Sequence, residues 1–387
     1  MSKKITNFEL FDIVLNGDEE ELKELLSEEV ELEGWVRTNR ANGQIGFIEF
    51  NDGTYFKNVQ LVYLKESSCY ELASSYRNGC AIKVVGKIKI TPEITTNDGE
   101  GAGNVFDVTT HDTKDPFSFY GRKVNLTVTG QLHVEPFALA FRNVYTFGPV
   151  FRAEHSNTVR HASEFWMIEP EMAFCDLNGN MAIIEDCIKY CINYVMEACP
   201  EEMKFFNTMI DPTLIDRLNH VVNSEFKKMS YSEGIEILKN AVKNGVNFEN
   251  SNIEWGMDLQ SEHERYLTEK VVNGPLFLID YPEEIKAFYM KLNPDKKTVA
   301  ACDLLVPAVG ELVGGSQREE NYELLKAKMD KLGLTNGLEW YLDTRKYGGC
   351  VHSGFGIGFD RLLMYVTGMQ NIRDVQPYPR TSGSIKY

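Results

Sequence analysis

Phe147–Phe174 reads FGPVFRAEHSNTVRHASEFWMIEPEMAF. From Tyr145 to Ala153 the chain is aromatic and β-branched apart from one Gly-Pro step, the composition of a strand. His155–Ser163 is polar and reads as a loop. Glu164–Phe174 is apolar again, with Glu164, Glu169 and Glu171 set among large side chains. Arg152 stands at the end of the first strand. Charges on a surface hairpin usually form weak solvated pairs. Here they alternate with Phe151, Phe165, Trp166 and Met167, so they line a cleft. A guanidinium and carboxylates held on paired strands suit a small ligand carrying phosphate and amine groups.

Outward from this hairpin, Met181–Met196 places apolar residues at 181, 184, 187, 188, 191, 192, 195 and 196, the stripe of an amphipathic helix. Residues 200–250 read as a more polar helical insertion. Val299–Gly315 is a strand followed by a turn, and Gly354–Tyr365 a strand followed by a helix. Towards the N-terminus, residues 7–29 have helical spacing (Leu10, Ile13, Leu22, Leu25, Leu26). From Val30 the period becomes two: VELEGWVRTNR, GFIEFNDGT, FKNVQLVYL and AIKVVGKIKI are strand-like runs divided by Gly, Asn and Asp. Short strands at this spacing suggest a small barrel of the OB type, a fold that binds oligonucleotides.

The chain has 387 residues, enough for two or three domains, and its 43% apolar and 25% charged shares are ordinary for globular proteins. It contains no run of about 18 apolar residues and no signal-peptide pattern, so a cytoplasmic protein is expected, with no membrane partner. The eight cysteines form no CxxC pair, which argues against a zinc ribbon. Cys187 and Cys191 fall on the apolar helix stripe and read as buried free thiols. A net charge of −17 excludes a nonspecific nucleic-acid coat, but residues 31–90 hold eight Lys/Arg against six Asp/Glu, so that segment keeps a specific RNA contact open.

FRAE, a loop, then RHxxEF and a carboxylate-rich strand resemble motif 2 of the class II aminoacyl-tRNA synthetases. The fuller wording FRAExSNTxRHxxEFWMIEPE resembles the asparaginyl members of that class. GWVRTNRxxGxxGFIEFNDGTxxxNVQLV resembles the anticodon-binding OB domain of the aspartyl and asparaginyl enzymes, and GFGIGFDR, Gly354–Arg361, resembles motif 3. The resemblance implies an α+β protein in three parts. These are a helical extension over 1–29, an OB barrel over 30–93, and a catalytic domain over 94–387 built on an antiparallel sheet flanked by helices.

The implied reaction joins L-asparagine to tRNA(Asn). The asparagine carboxylate attacks the α-phosphate of ATP, pyrophosphate leaves, and the asparaginyl-adenylate passes its acyl group to the terminal ribose. Such a step depends on positioning and charge stabilisation. By resemblance, Arg152 holds the α-phosphate and the amino-acid carboxylate, Glu154 lies near the adenine amino group, and Arg160 or His161 reaches the outer phosphates. Phe165 stacks under adenine. Gly354, Gly356 and Gly358 let their strand lie flat against the nucleotide, and Arg361 covers the other adenine face and meets the γ-phosphate. Asp303 and Glu311 match two Mg²⁺ carboxylates. Gln131, Glu169, Arg318 and Glu100 belong to the amino-acid pocket. Arg37 and Phe47 are the anticodon candidates, since base stacking and phosphate contact are what single-stranded RNA requires. A barrel interior also needs aromatic side chains, which gives Phe47 a second reading as a core residue.

In TGQLHVEPFALA, Val134 stands where aspartate enzymes carry a lysine. Without that charge a substrate carboxylate is disfavoured, while Glu169 suits an amide nitrogen. EWGMDLQSEHERYL and the segment DYPEEIKAFYMKLN also match the family's wording, and their charged residues read as structural. Aspartyl-tRNA synthetase and a non-catalytic tRNA-binding or nucleotide-binding paralogue are the competing readings; a free asparagine-making ligase would not need the OB domain.

The resemblance breaks after GKIKI. The family continues with a fifth barrel strand, a connector, and the helix and strand of motif 1, its homodimer interface. Here KIKITPEITTNDGEGAG runs straight into the catalytic core, with Pro92 either the tail of the barrel or the end of motif 1. Several tens of residues are missing, so the barrel is expected to be incomplete and dimerisation weakened. The strand face that motif 1 covers is expected to be exposed or differently covered.

Overall fold

A computed structural model describes residues 3–16, 20–21, 24–25, 29–41, 45–55, 58–87, 94–95, 104–109, 119–155 and 158–385. They form two compact units, Met1–Pro92 and Glu93–Tyr387. The architecture is α+β: an OB-type half-barrel, then a larger unit on a mostly antiparallel sheet with helices against it.

In the first unit β1 (Lys3–Lys4), β2 (Glu29–Ala41), β3 (Ile45–Asn51), β4 (Val59–Leu64) and β5 (Ala81–Lys87) make one sheet. The long β2 serves two partners. Glu29–Trp35 pairs with β5, and Trp35–Ala41 pairs with β3. Among the described residues no ladder joins β4 to β5. Gly34 lies at the changeover, where a Cβ would come within 2.7 Å of the Phe50 ring. The β2–β3 register slips between Val36 and Thr38, which makes Arg37 a bulged residue turned to solvent.

Val30, Leu32, Val36, Ile48 and Phe50 build the core of this unit. Ile5, Leu10 and Leu25, from the segment preceding β2, pack into the same core. Side chains alternate across a strand, so with Ile48 and Phe50 inside, Phe47 stands on the opposite face. It is half-buried there, opposite Arg40 and Val62. Its reading as a core residue is excluded.

The second unit opens with β6 (Ile94–Thr95), paired with β7 (Asn125–Leu126). Pro92 and Glu100 lie outside the described residues. The remaining strands are β8 (Asn143–Phe151), β9 (Glu164–Ala173), β10 (Lys227–Ser230), β11 (Leu276–Pro282), β12 (Thr298–Val306), β13 (Gly310–Gln317) and β14 (His352–Gly358). They form a seven-stranded sheet in the order β10-β11-β12-β13-β14-β9-β8. Only the β10–β11 pair is parallel.

β8 and β9 are the hairpin expected from the sequence. β8 ends the sheet and exposes Tyr145 and Phe147. The helix Leu177–Ala198, capped by the Asp176 carboxylate on Gly179 N, lays Met181, Ile184, Ile188 and Ile192 on the sheet, against Leu304, Val313, Phe355 and Ile357. Cys187 and Cys191 on this helix are half-buried rather than buried, and all eight cysteines are free thiols. The 200–250 segment supplies the helices Pro200–Met209, Leu214–Asn223 and Tyr231–Lys243, but also β10, which extends the sheet. Among the described residues no helix is long and apolar enough to cross a membrane.

Candidate active site

A cavity of about 670 Å³ opens over the face of β9, β12, β13 and β14. Its lining includes Gln131, Arg152, Glu154, Arg160, His161, Phe165, Glu169, Asp303, Glu311, Arg318, Gly358 and Arg361. Of the catalytic-unit candidates, Gly354 is not among the lining residues and Glu100 lies outside the described residues. Arg37 and Phe47 belong to the other unit.

The hairpin sets one wall. Arg152 follows β8, where its backbone N–H donates to Ser163 O. Its side chain donates through Nε to Val128 O at 3.3 Å and lies over Phe165, 5.3 Å from the ring centroid. In the loop between the strands, Arg160 Nη1 donates to Glu264 Oε2 at 3.0 Å. Glu264 also accepts from Glu311 N, so its charge organises both the loop and β13; it had read as structural. His161 contacts the Thr158 hydroxyl and sits 4.0 Å from Glu154. Burial and the nearby Arg361 hold its imidazole below the ordinary value.

Opposite lie the acids. Asp303 on β12 and Glu311 on β13 both face Gly314. A Cβ there would stand 3.7 Å from Asp303 Oδ1 and 3.2 Å from Glu311 Oε1. The absent side chain therefore leaves a cradle between two carboxylates. Lys286 Nζ donates to the other Asp303 oxygen at 2.5 Å and rests over the Tyr281 ring. Contrary to a purely structural role for the charges of DYPEEIKAFYMKLN, this lysine is in the cavity wall. Burial raises the Asp303 carboxyl, against the pull of Lys286. Burial acts the same way on Glu311, but Arg361, Lys286, Arg160 and Arg152 outweigh it and hold that carboxyl low. Arg361 Nη1 donates to Glu311 O at 3.0 Å and stands 3.5 Å from its carboxylate.

Two carboxylates over a side-chain-free residue suit a hard cation such as Mg²⁺. Among the described residues no three metal-binding side chains converge.

The third wall is the amino-acid half. Glu169 and Glu171 share one face of β9 by strand alternation. Glu169 accepts from Gly130 N at 2.8 Å, from Thr146 at 3.3 Å, and from the Thr129 hydroxyl. Glu171 holds Arg318 as a bidentate pair, accepting from Nε at 3.2 Å and from Nη2, while Nη1 donates to the Ser316 hydroxyl. Burial pushes the Glu171 carboxyl up to about 7. Room for it comes from Gly354, whose Cβ would fall 2.1 Å from Glu171 Oε1. That glycine therefore admits a carboxylate rather than a nucleotide, while Gly356 and Gly358 do line the cavity. Val134 is buried on the helix Gln131–Phe141 and is not among the lining residues.

An antiparallel sheet carrying arginines and paired carboxylates around one cavity, after an OB-type unit, is the layout of a class II aminoacyl-tRNA synthetase. The family model for class II tRNA synthetases (D, K and N) matches residues 88–382, and that for the OB-fold nucleic acid binding domain matches residues 30–100. An asparagine–tRNA ligase of Clostridium novyi is 45% identical over 452 aligned positions, more than the 387 residues of this chain, and covers 94% of the chain and 97% of the relative. One from Clostridium acetobutylicum is 46% identical, covering 92% and 96%. The crystal structure of the Pyrococcus horikoshii asparaginyl-tRNA synthetase complexed with asparaginyl-adenylate superposes with a TM-score of 0.67 at 28% identity, covering 94% of this chain and 97% of that one. The chain belongs to the asparaginyl-tRNA synthetase family.

Proposed function

We propose that the cavity activates L-asparagine with ATP and passes the asparaginyl group to tRNA(Asn). The observation that carries this is the shared cavity of Arg152, Arg361, the Asp303–Glu311 pair and the Glu169–Arg318 pocket. An asparagine carboxylate oxygen attacks the α-phosphorus, the bond to the bridging oxygen of pyrophosphate breaks, and the mixed anhydride remains. A 3′-terminal ribose hydroxyl then attacks the acyl carbon and AMP leaves.

Arg152 forks between the α-phosphate and the attacking carboxylate, placing its charge where charge develops. Phe165 and Arg361 bracket adenine, with Glu154 at its amino group, and Arg361 also meets the γ-phosphate. Arg160 and His161 serve the outer phosphates, for which Arg160 exchanges its Glu264 partner. Asp303 and Glu311 would hold Mg²⁺, whose charge, when bound, offsets that of the phosphates. Gln131, Glu169 and Arg318 recognise the amino acid, with Glu100 at its α-amino group. Arg318 is already matched by Glu171, which disfavours an aspartate carboxylate as substrate.

In the OB unit Phe47 offers a stacking face and the bulged Arg37 a phosphate contact for the anticodon. The three-part division at 1–29, 30–93 and 94–387 and a cytoplasmic location belong to the same proposal. So does an internal loss of the motif 1 region, which the excess of aligned positions over chain length supports. Asparagine-dependent ATP–pyrophosphate exchange by purified protein tests the proposal. Exchange is expected with asparagine; exchange with aspartate alone, or none from folded protein, would overturn it.

A further inference from the structure

Behind the amino-acid pocket lies a buried cluster that the reaction as described does not use. Glu135, on the helix Gln131–Phe141, is fully buried and is not among the residues that line the cavity. Its carboxylate collects three donors and stands against a histidine. Gln131 Nε2 donates at 2.9 Å, the Tyr341 hydroxyl at 2.7 Å and Arg345 Nη2 at 2.8 Å, and His352 Nε2 lies 3.3 Å away. Arg318 Nε is 3.9 Å from it on the cavity side. Burial opposes its ionisation, but Arg345, His352 and Arg318 hold the carboxyl well below the usual range.

Two consequences follow from elementary chemistry. A carboxylate only accepts, so Gln131 must turn its NH₂ towards Glu135 and present its carbonyl oxygen to the cavity. Glu135 and Glu171 are the two buried carboxylates set against Arg318 and Arg345, with His352 beside Glu135. An unbalanced member of such a group is costly, and the cheapest relief is a shift of Arg318 towards the pocket.

We infer that Glu135 is a positioning residue for asparagine selection: it fixes the orientation of the Gln131 amide and the placement of Arg318 without touching the substrate. This rests on the assignment of Gln131 and Arg318 to the amino-acid pocket. Tyr341 and Arg345, both on the helix Glu339–Lys346, act through it. Replacing Glu135 by glutamine lets the Gln131 amide turn over and leaves two guanidinium groups facing one carboxylate. The pocket then loses its set acceptor and gains net positive charge, a change that favours aspartate over asparagine.

The test is ATP–pyrophosphate exchange with asparagine and ATP varied separately, and with aspartate as competitor. For Glu135→Gln, KM for asparagine is expected to rise ~10-fold and the preference for asparagine over aspartate to narrow by a similar factor, with KM for ATP within ~2-fold. An equal change in both KM values, or a fall in kcat alone, marks a purely structural role and overturns the inference. Tyr341→Phe keeps both ion pairs and removes one donor. It is expected to give the same split at ~3-fold, and no split there overturns the inference even if Glu135→Gln does not fold. Gln131→Ala and Arg318→Ala separate the two levels. If neither raises KM for asparagine, the pocket assignment fails and the inference with it. If both do and neither Glu135→Gln nor Tyr341→Phe does, the inference alone fails.

Discussion

The Arg152 guanidinium lies over the Phe165 ring, 5.3 Å from its centroid. Arg152 lies just past the end of β8 and Phe165 on β9, so the hairpin fixes the arginine before any ligand arrives. An arginine already stacked loses little freedom when it closes on phosphate and carboxylate. Phe165→Leu removes the stacking surface but keeps apolar bulk. It is expected to raise KM for ATP ~10-fold through the lost adenine stack, with a smaller rise in KM for asparagine through the loosened Arg152. Arg152→Lys keeps the charge and loses the fork, and exchange is expected to fall ~100-fold or more.

Asp303 is shared between Lys286 at 2.5 Å and the cradle over Gly314. The lysine neutralises one oxygen while the other faces Glu311. Asp303→Asn removes half of the carboxylate pair and leaves Lys286 as an unmatched cation beside the phosphates. Exchange is expected to drop ~100-fold, with the Mg²⁺ concentration for half-maximal rate moving upward. A magnesium titration of both proteins checks this, and an unchanged midpoint would remove Asp303 from the metal site.

Glu171 carries the pH dependence. Burial pushes its carboxyl up to about 7 from an ordinary 4.5. The folded state therefore holds this proton more tightly than the unfolded chain. Its contribution to stability is fully present below 4.5 and is lost as pH rises through about 7. Activity runs the other way, because a protonated Glu171 no longer matches Arg318. KM for asparagine is expected to increase as pH falls below about 7, while KM for ATP does not. Glu171→Gln is expected to flatten that limb at a high constant KM. A pH series of exchange rates on both proteins decides it.

What could be read before the structure followed the reach of each signal. The aromatic and β-branched runs on either side of His155–Ser163 gave the hairpin, and the apolar stripe from Met181 found its helix, because both are local signals. β10 was invisible, since KKMS is four residues with no alternation, and it forms a strand only by pairing with β11. Lys286 and Glu264 sat in segments whose apolar neighbours made every charge look like a core edge. Glu135 meets Arg345 210 positions away, a contact that no window along the chain contains. For Phe47, alternation gave two faces but not which one was buried; Ile48 and Phe50 settle that.

Phe47 now stands off the core, with Arg40 across the β2–β3 ladder and Arg37 at the bulge. Phe47→Ala and Arg37→Ala are therefore expected to leave tRNA-independent asparagine exchange unchanged. Each is expected to weaken tRNA charging ~10-fold through KM for tRNA, as loss of one stacking face or one phosphate contact implies. Comparing exchange with aminoacylation for each variant separates the two readouts. Equal loss in both would assign these residues to folding.

The last expectation concerns assembly. β8 ends the seven-stranded sheet, and Tyr145 and Phe147 on it are exposed. The prediction rests on the proposed loss of the motif 1 region, whose helix and strand would otherwise form the dimer interface. An interface stripped of a buried helix loses most of the apolar area that holds a standard dimer together, and the exposed aromatic side chains on β8, the terminal strand among the described residues, invite loose, open-ended association. At ~10 µM, sedimentation velocity is expected to show monomer with concentration-dependent higher species rather than a single tight dimer. Tyr145→Lys adds charge to the edge and is expected to suppress the higher species without slowing exchange. A stable closed dimer that survives this substitution would mean that another surface has taken over the family interface.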